Sequence, residues 1–166
     1  MRLIVSAVGR LKNGPERDLA ARYRERAAQV GRGLGVSACD VAELPESRAR
    51  RGADRCADEA AGLLVHLPAG GVLCAYDERG RADLSSEDIA GRIGAWRDAG
   101  RAALVVVIGG ADGLDASIRT RAELILSFGA ATLPHGLVRV LVLEQLYRSL
   151  TILAGHPYHR GGEGVG

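Results

Sequence analysis

The chain is short of several things that would fix its class at once. Its 166 residues include three cysteines, one tryptophan, one phenylalanine and one lysine. Cys39, Cys56 and Cys74 are odd in number, far apart and never in a Cys-x-x-Cys. That excludes a disulfide scaffold and fits small buried residues in a reducing, cytoplasmic compartment. No apolar run reaches the length of a membrane span. The apolar stretch after Met1 is too short for a signal peptide and is broken by Arg10. Charge of one sign is also lacking: 22 basic residues against 20 acidic leave a net +2. A nucleic-acid footprint is therefore permitted only as a local patch. The near absence of lysine beside abundant alanine and glycine reads as a compositional skew.

What is present is an ordinary globular composition, 47% hydrophobic and 25% charged, enough for one domain with its own core. Short β-rich runs alternate with helical patterns. Strands are expected at Leu3–Val8, Val36–Val41, Val72–Tyr76, Ala103–Ile108 and, briefly, Ala130–Leu133. The first helix opens at Pro15 with Leu19, Tyr23, Ala27 and Val30 on one stripe. A second covers Asp54–Leu67. A third follows a capping box at Ser85 and Asp88, with Ile89, Ile93 and Trp96 inward. Asp115 caps a fourth, its stripe Ile118, Ala122 and Ile125, and a fifth runs from about Leu137 to Leu153. This alternation predicts an α/β fold: a parallel sheet with helices on both faces and loops at the carboxyl ends of the strands as the ligand edge. One domain spans residues 1–160, followed by a loose glycine-rich tail over 161–166.

Three segments could carry chemistry. Val105–Gly113 delivers Gly109, Gly110 and Gly113 from a buried strand to a helix start. Such a turn suits close backbone approach to a ligand, yet it matches neither the dinucleotide fingerprint nor the P-loop. A plain tight turn stays open beside a ligand loop. Phe128–Gly136 ends in Pro134-His135-Gly136, ahead of a helix apolar on nearly all sides, which demands enclosure by a partner subunit or by the protein's own loops. Within it Glu144 and Arg148 form an i, i+4 pair. Finally, His156-Pro157-Tyr158-His159-Arg160 supplies an aromatic face and ring or planar donors of the kind a base-binding surface uses, although a polar terminus explains the same residues. His-x-x-His lacks further ligands at zinc spacing, so no metal is expected. Arg48-Ala49-Arg50-Arg51 reads as a solvated loop, and Arg79-Gly80-Arg81 falls at the ligand edge.

Together these segments resemble the RlmH-type SPOUT methyltransferases. The resemblance is carried by Val8-Gly9-Arg10-Leu11-Lys12, Asp77-x-x-Gly80-Arg81 and Val107-Ile108-Gly109-Gly110-x-x-Gly113-Leu114. It continues in Leu133-Pro134-His135-x-Leu137-Val138-Arg139-Val140-Leu141, Glu144-Gln145-Leu146-Tyr147-Arg148 and His156-Pro157-Tyr158-His159-Arg160. It implies a C-terminal trefoil knot, a homodimer, S-adenosylmethionine (SAM) as cofactor, and methylation of N3 of a pseudouridine in 23S rRNA within the assembled 70S ribosome. It further implies that Tyr76, Asp77, Gly109, Gly110 and the run Phe128, Gly129, Ala130, Ala131, Thr132, Leu133 and Pro134 hold the cofactor. The target side would comprise His135, Arg139, Arg148, Tyr158, His159 and Arg160. Departures from the family pattern are Arg81 where a lysine is common, Gly129 where a bulkier polar residue is common, and six residues beyond Arg160. Two alternatives accompany this reading: a SPOUT enzyme acting on a free nucleoside or other small molecule, and a non-catalytic RNA-binding relative.

Overall fold

Residues 1–158 are described by the structure, a computed structural model. The elements run β1 (Arg2–Val8), α1 (Pro15–Arg32), β2 (Ala38–Leu44), α2 (Gly52–Leu64) and β3 (Val72–Arg81). They continue α3 (Ser86–Asp98), β4 (Ala103–Ile108), α4 (Ala116–Arg121), β5 (Leu124–Leu126) and α5 (His135–Leu153). The five strands form one sheet in the order β2-β1-β4-β3-β5, every pairing parallel. Parallel strands bury both faces, and β4 accordingly reads Ala-Leu-Val-Val-Val-Ile with all six residues buried.

Alternation along β1 divides the core. Leu3, Val5 and Ala7 face the cluster built with α1, α3 and α5, while Ile4 and Val8 face Ala60 and Leu63 of α2 and Ile118 of α4. Connections moving one way along the sheet thus lie on one face and those moving the other way lie opposite, as right-handed crossovers require. After edge strand β5 the chain returns across the sheet, and α5 packs against both α1 and α3. This return is consistent with the knotted threading that the resemblance implies. Among the described residues no helix is long and apolar enough to cross a membrane.

Local chemistry explains most boundaries. Pro15 starts α1, and the Ser85–Asp88 capping box forms with both reciprocal bonds. Two expectations are corrected. The last strand is Leu124–Leu126, not Ala130–Leu133, so Ile125 belongs to the sheet rather than to a helical stripe. Helix α4 stops because Ala122 turns extended, and the Glu123 N–H then donates to the Leu73 carbonyl at 2.8 Å, delivering the next residues to the free edge of β3. The buried face of α1 is also rotated: Ala20, Ala27 and Gly31 are buried, whereas Leu19 is 36% exposed.

One close crossing ties β3 to β5. The register jumps from Tyr76 to Arg81 opposite Leu126, and the Ser127 N–H donates to the Arg81 carbonyl at 2.9 Å. Gly80 lies against Leu126, where a Cβ would sit 2.5 Å from its carbonyl oxygen and 2.8 Å from its nitrogen. Backbone cannot yield as a flexible side chain does, so Gly80→Ala is expected to destabilise the protein by about 2–3 kcal/mol. Gly91, on α3, has nothing within 4 Å of its would-be Cβ. Gly91→Ala is expected to stabilise by about 0.5–1 kcal/mol. Urea denaturation of both variants measures the contrast, and equal effects would contradict the crossing.

Candidate functional site

The carboxyl ends of β3, β4 and β5 open onto a cavity of about 730 Å³, a size suited to a cofactor-scale ligand. Three chain segments form most of its wall. From β3 come Tyr76, Asp77, Glu78 and Arg79. The Tyr76 ring stacks on Phe128 with centroids 4.6 Å apart and planes 18° from parallel. Burial pushes the Tyr76 phenol well above its ordinary pKa, so it stays protonated. The Asp77 side chain is 6% exposed, accepts from the Arg79 N–H at 3.0 Å and lies 3.6 Å from the Arg119 guanidinium of α4.

From β4 come Gly109 and Gly110. A Cβ on Gly109 would sit 2.7 Å from the Gly113 carbonyl oxygen, and one on Gly110 would sit 2.9 Å from Glu59 Oε2. Gly110 and Gly113 form a bridge, and Gly113 has φ +83°. These positions exclude side chains, leaving backbone amides and carbonyls to face the cavity. The third wall is the run after β5, where Ser127 Oγ accepts from the Gly129 N–H at 3.1 Å and donates to the Gly129 carbonyl at 3.2 Å. Gly129 has φ +102°. Phe128 through Leu133 line the cavity, followed by His135 and Val138 at the start of α5. Pro134 lies outside the lining as the N-cap residue of α5.

The residues expected on the target side separate. His135 lines the cavity. Arg139, one helical turn further on, is 2% exposed and points into the protein. It pairs with Glu43, and its NH2 donates to the carbonyls of Val8 and Gly9 at 3.2 and 2.9 Å. Burial lowers its pKa while Glu43 opposes the shift. Its Nε has no hydrogen-bond partner among the described residues. Arg139 thereby clamps the start of α5 to the ends of β1 and β2.

Arg148 lies near the opposite end of α5, about 20 Å from His135 at 1.5 Å per residue. Its Nε and NH2 donate to Glu144 at 2.9 and 2.6 Å, and this pairing raises its pKa. Tyr158 covers it: the Arg148 guanidinium is 5.0 Å from the Tyr158 ring centroid, and the Tyr158 hydroxyl donates to Glu144 at 3.3 Å. Tyr158 also packs on Tyr147 at 4.6 Å. Its pKa is raised, chiefly by desolvation and then by a hydrogen bond with Tyr23. His159 and Arg160 lie outside the described residues. Along the outer side of α5, Leu137 and Leu141 remain 43% and 37% exposed. The chain itself thus encloses most of this helix, Val142 to Thr151 above all, and leaves uncovered the apolar stripe of Leu137 and Leu141 in its first half.

Sequence reasoning missed Gly52, Ala53, Cys56, Asp112 and Arg119, all of which line the cavity. Asp112 lies inside the glycine turn and Arg119 six residues beyond it, so both were within reach of a reading that weighed the turn's side chains and extended it forward. Cys56 and the start of α2 carry no local signal. Arg81, expected at the ligand edge, instead pairs with Asp83 at 2.8 Å and does not line the cavity.

Residues 1–159 match the family model described as "Predicted SPOUT methyltransferase". A protein of Methylobacterium radiotolerans named "Ribosomal RNA large subunit methyltransferase H" is 78% identical over 164 residues, covering 99% of this chain and 100% of that one. A protein of the same name from Methylorubrum extorquens is 71% identical over 161 residues, covering 97% and 98%. Another from Xanthobacter autotrophicus is 58% identical over 160 residues, covering 96% and 99%. With its parallel sheet, its glycine-walled cavity and a family match over nearly its whole length, the chain belongs to the SPOUT methyltransferases.

Proposed function

We propose that the protein is a SAM-dependent enzyme that methylates N3 of a pseudouridine in 23S rRNA of the assembled 70S ribosome, acting in the cytoplasm as a homodimer. The observation that carries this reading is a glycine-walled cavity of cofactor size in a chain 78% identical to a relative named a ribosomal RNA large subunit methyltransferase.

The cavity's donor set fits SAM. The stacked Tyr76 and Phe128 rings offer an apolar wall, and the Gly109–Gly110 cradle leaves backbone groups free to meet adenine, ribose and the amino-acid portion. Tyr76, Asp77, Gly109, Gly110 and the run Phe128 to Pro134 would hold it. When bound, SAM supplies an electrophilic methyl group. The chain's own work is to hold N3 in line, exclude water and receive a proton. The imide N–H of pseudouridine is weakly acidic, so its proton leaves at or before transfer. We assign that proton to His159 or a water it orders. Arg160 stabilises negative charge on the flanking carbonyls, Tyr158 orients the base, and His135 borders the transfer path. Arg139 is already committed to Glu43 and two carbonyls, and we assign it to holding α5 in place.

A homodimer is supported by two features of α5. Leu137 and Leu141 leave an apolar stripe uncovered, and burial of such a stripe favours symmetric association. Arg148 and Tyr158 pack together at the far end of α5 from the chain's own cavity, so in this reading each tail completes the partner's site.

Labelled SAM incubated with undermodified ribosomes, naked 23S RNA and free pseudouridine tests the substrate. Incorporation is expected only into ribosomes, and incorporation confined to the nucleoside would contradict the reading. His159→Ala is expected to lower kcat by roughly 10²- to 10⁴-fold with SAM affinity unchanged. Unaltered turnover would remove His159 from the proton path.

A further inference from the structure

Within itself the glycine loop of the cavity is braced by backbone alone, the Gly113 N–H donating to the Gly110 carbonyl at 3.1 Å. Gly109, Gly110 and Gly113 contribute no side chains and Ala111 only a methyl, which leaves Asp112 as the one polar side chain between Gly109 and Gly113. Glycine-rich backbone gains the most freedom when unrestrained, so the cradle needs an external tie.

Helix α2 supplies it from one face. Arg55 Nε and NH2 donate to Asp112 Oδ2 and Oδ1 at 2.6 and 2.9 Å, a bidentate fork. The NH1 of the same guanidinium donates to the carbonyls of Ala49 and Arg50, both at 3.0 Å. Next along the helix, Cys56 Sγ lies 3.5 Å from the Asp112 carbonyl oxygen and 3.7 Å from that of Gly113. One turn later Glu59, 8% exposed, lies against Gly110 and accepts from the Ser47 N–H at 3.0 Å. A single planar cation therefore joins α2, the segment before it and the glycine loop, across 57 residues of sequence.

We propose that Arg55 is a positioning residue for cofactor binding: through Asp112 it holds the Gly109–Gly113 loop in the shape that receives SAM. The inference rests on the SAM-dependent function proposed above. Arginine is needed because only its planar fork engages both carboxylate oxygens while a third nitrogen reaches the carbonyls. The pair is one third exposed, 30% for Arg55 and 35% for Asp112, so its hold weakens as salt rises.

The test compares the full chain with Arg55→Ala, Arg55→Lys and the exchange Arg55→Asp/Asp112→Arg. SAM binding is measured by calorimetry and steady-state kinetics, and amide hydrogen exchange over 109–113 is followed without cofactor. Arg55→Ala is expected to weaken SAM binding roughly tenfold or more, raise KM for SAM far more than it lowers kcat, and speed exchange in the loop. Arg55→Lys should fall between, and the exchange variant should recover part of the affinity. Unchanged SAM affinity and loop exchange in Arg55→Ala, with only a lower melting temperature, would make the pair merely structural and overturn the inference alone. Failure of the unaltered chain to bind SAM would overturn the proposed function and this role with it.

Discussion

At the ligand edge of this sheet, chain segments approach one another more closely than a methyl group allows. Gly80 against Leu126, Gly109 against Gly113 and Gly110 against Glu59 are each places where a Cβ would fall within 3 Å of a neighbouring heavy atom. The first of these brings β5 onto β3, the second folds the loop after β4 back on itself, and the third seats that loop on α2. Close approach has a chemical consequence as well as a steric one. Where side chains are excluded, peptide groups face the cavity, and peptide groups can recognise a polar ligand without carrying net charge. A cofactor that itself bears a sulfonium, an ammonium and a carboxylate is suited to such neutral, directional partners.

Backbone walls of this kind have few contacts of their own beyond the Gly110–Gly113 bridge, and polar side chains around them act as ties. Arg139 fastens the start of α5 to the ends of β1 and β2, Arg119 lies between α4 and Asp77, and Arg55 reaches the glycine loop from α2. The arginine-rich composition gains a meaning at these few positions, because a planar donor can satisfy several carbonyls and carboxylates at once. Other arginines make exposed pairs, such as Arg51 with Asp54 and Arg81 with Asp83, that contribute little to stability.

Much of the frame was legible because local and tertiary preferences agree. The β-branched run Ala103–Ile108 could only be an interior strand, and Ser85 with Asp88 announced the start of α3. The edge strand was misread because Leu-Ile-Leu satisfies a helix stripe or a three-residue strand equally well, and it is pairing with the distant β3, opened by the bond from Glu123 to Leu73, that decides between them. Of the cofactor-loop residues named from the sequence, all but Pro134 line one cavity. What stayed hidden was long-range pairing: nothing near Arg55 points to Asp112, and nothing near Arg139 reveals that it turns inward to Glu43. Local patterns record burial and period, whereas pairing depends on where the fold brings distant turns together.

In the proposed homodimer one chain carries two halves of different sites, a cavity at the amino end of α5 and a target-binding tail beyond its carboxyl end. Mixing two inactive variants tests it most directly. A cavity variant, Gly110→Val, and a tail variant, His159→Ala, are unfolded together and refolded at equal concentration, and methyl transfer to undermodified ribosomes is measured. In mixed dimers one site takes both lesions and the other takes none, so activity should return to about a quarter of the unaltered level. Two inactive parents giving an inactive mixture, with mixed dimers verified by mass, would contradict the account.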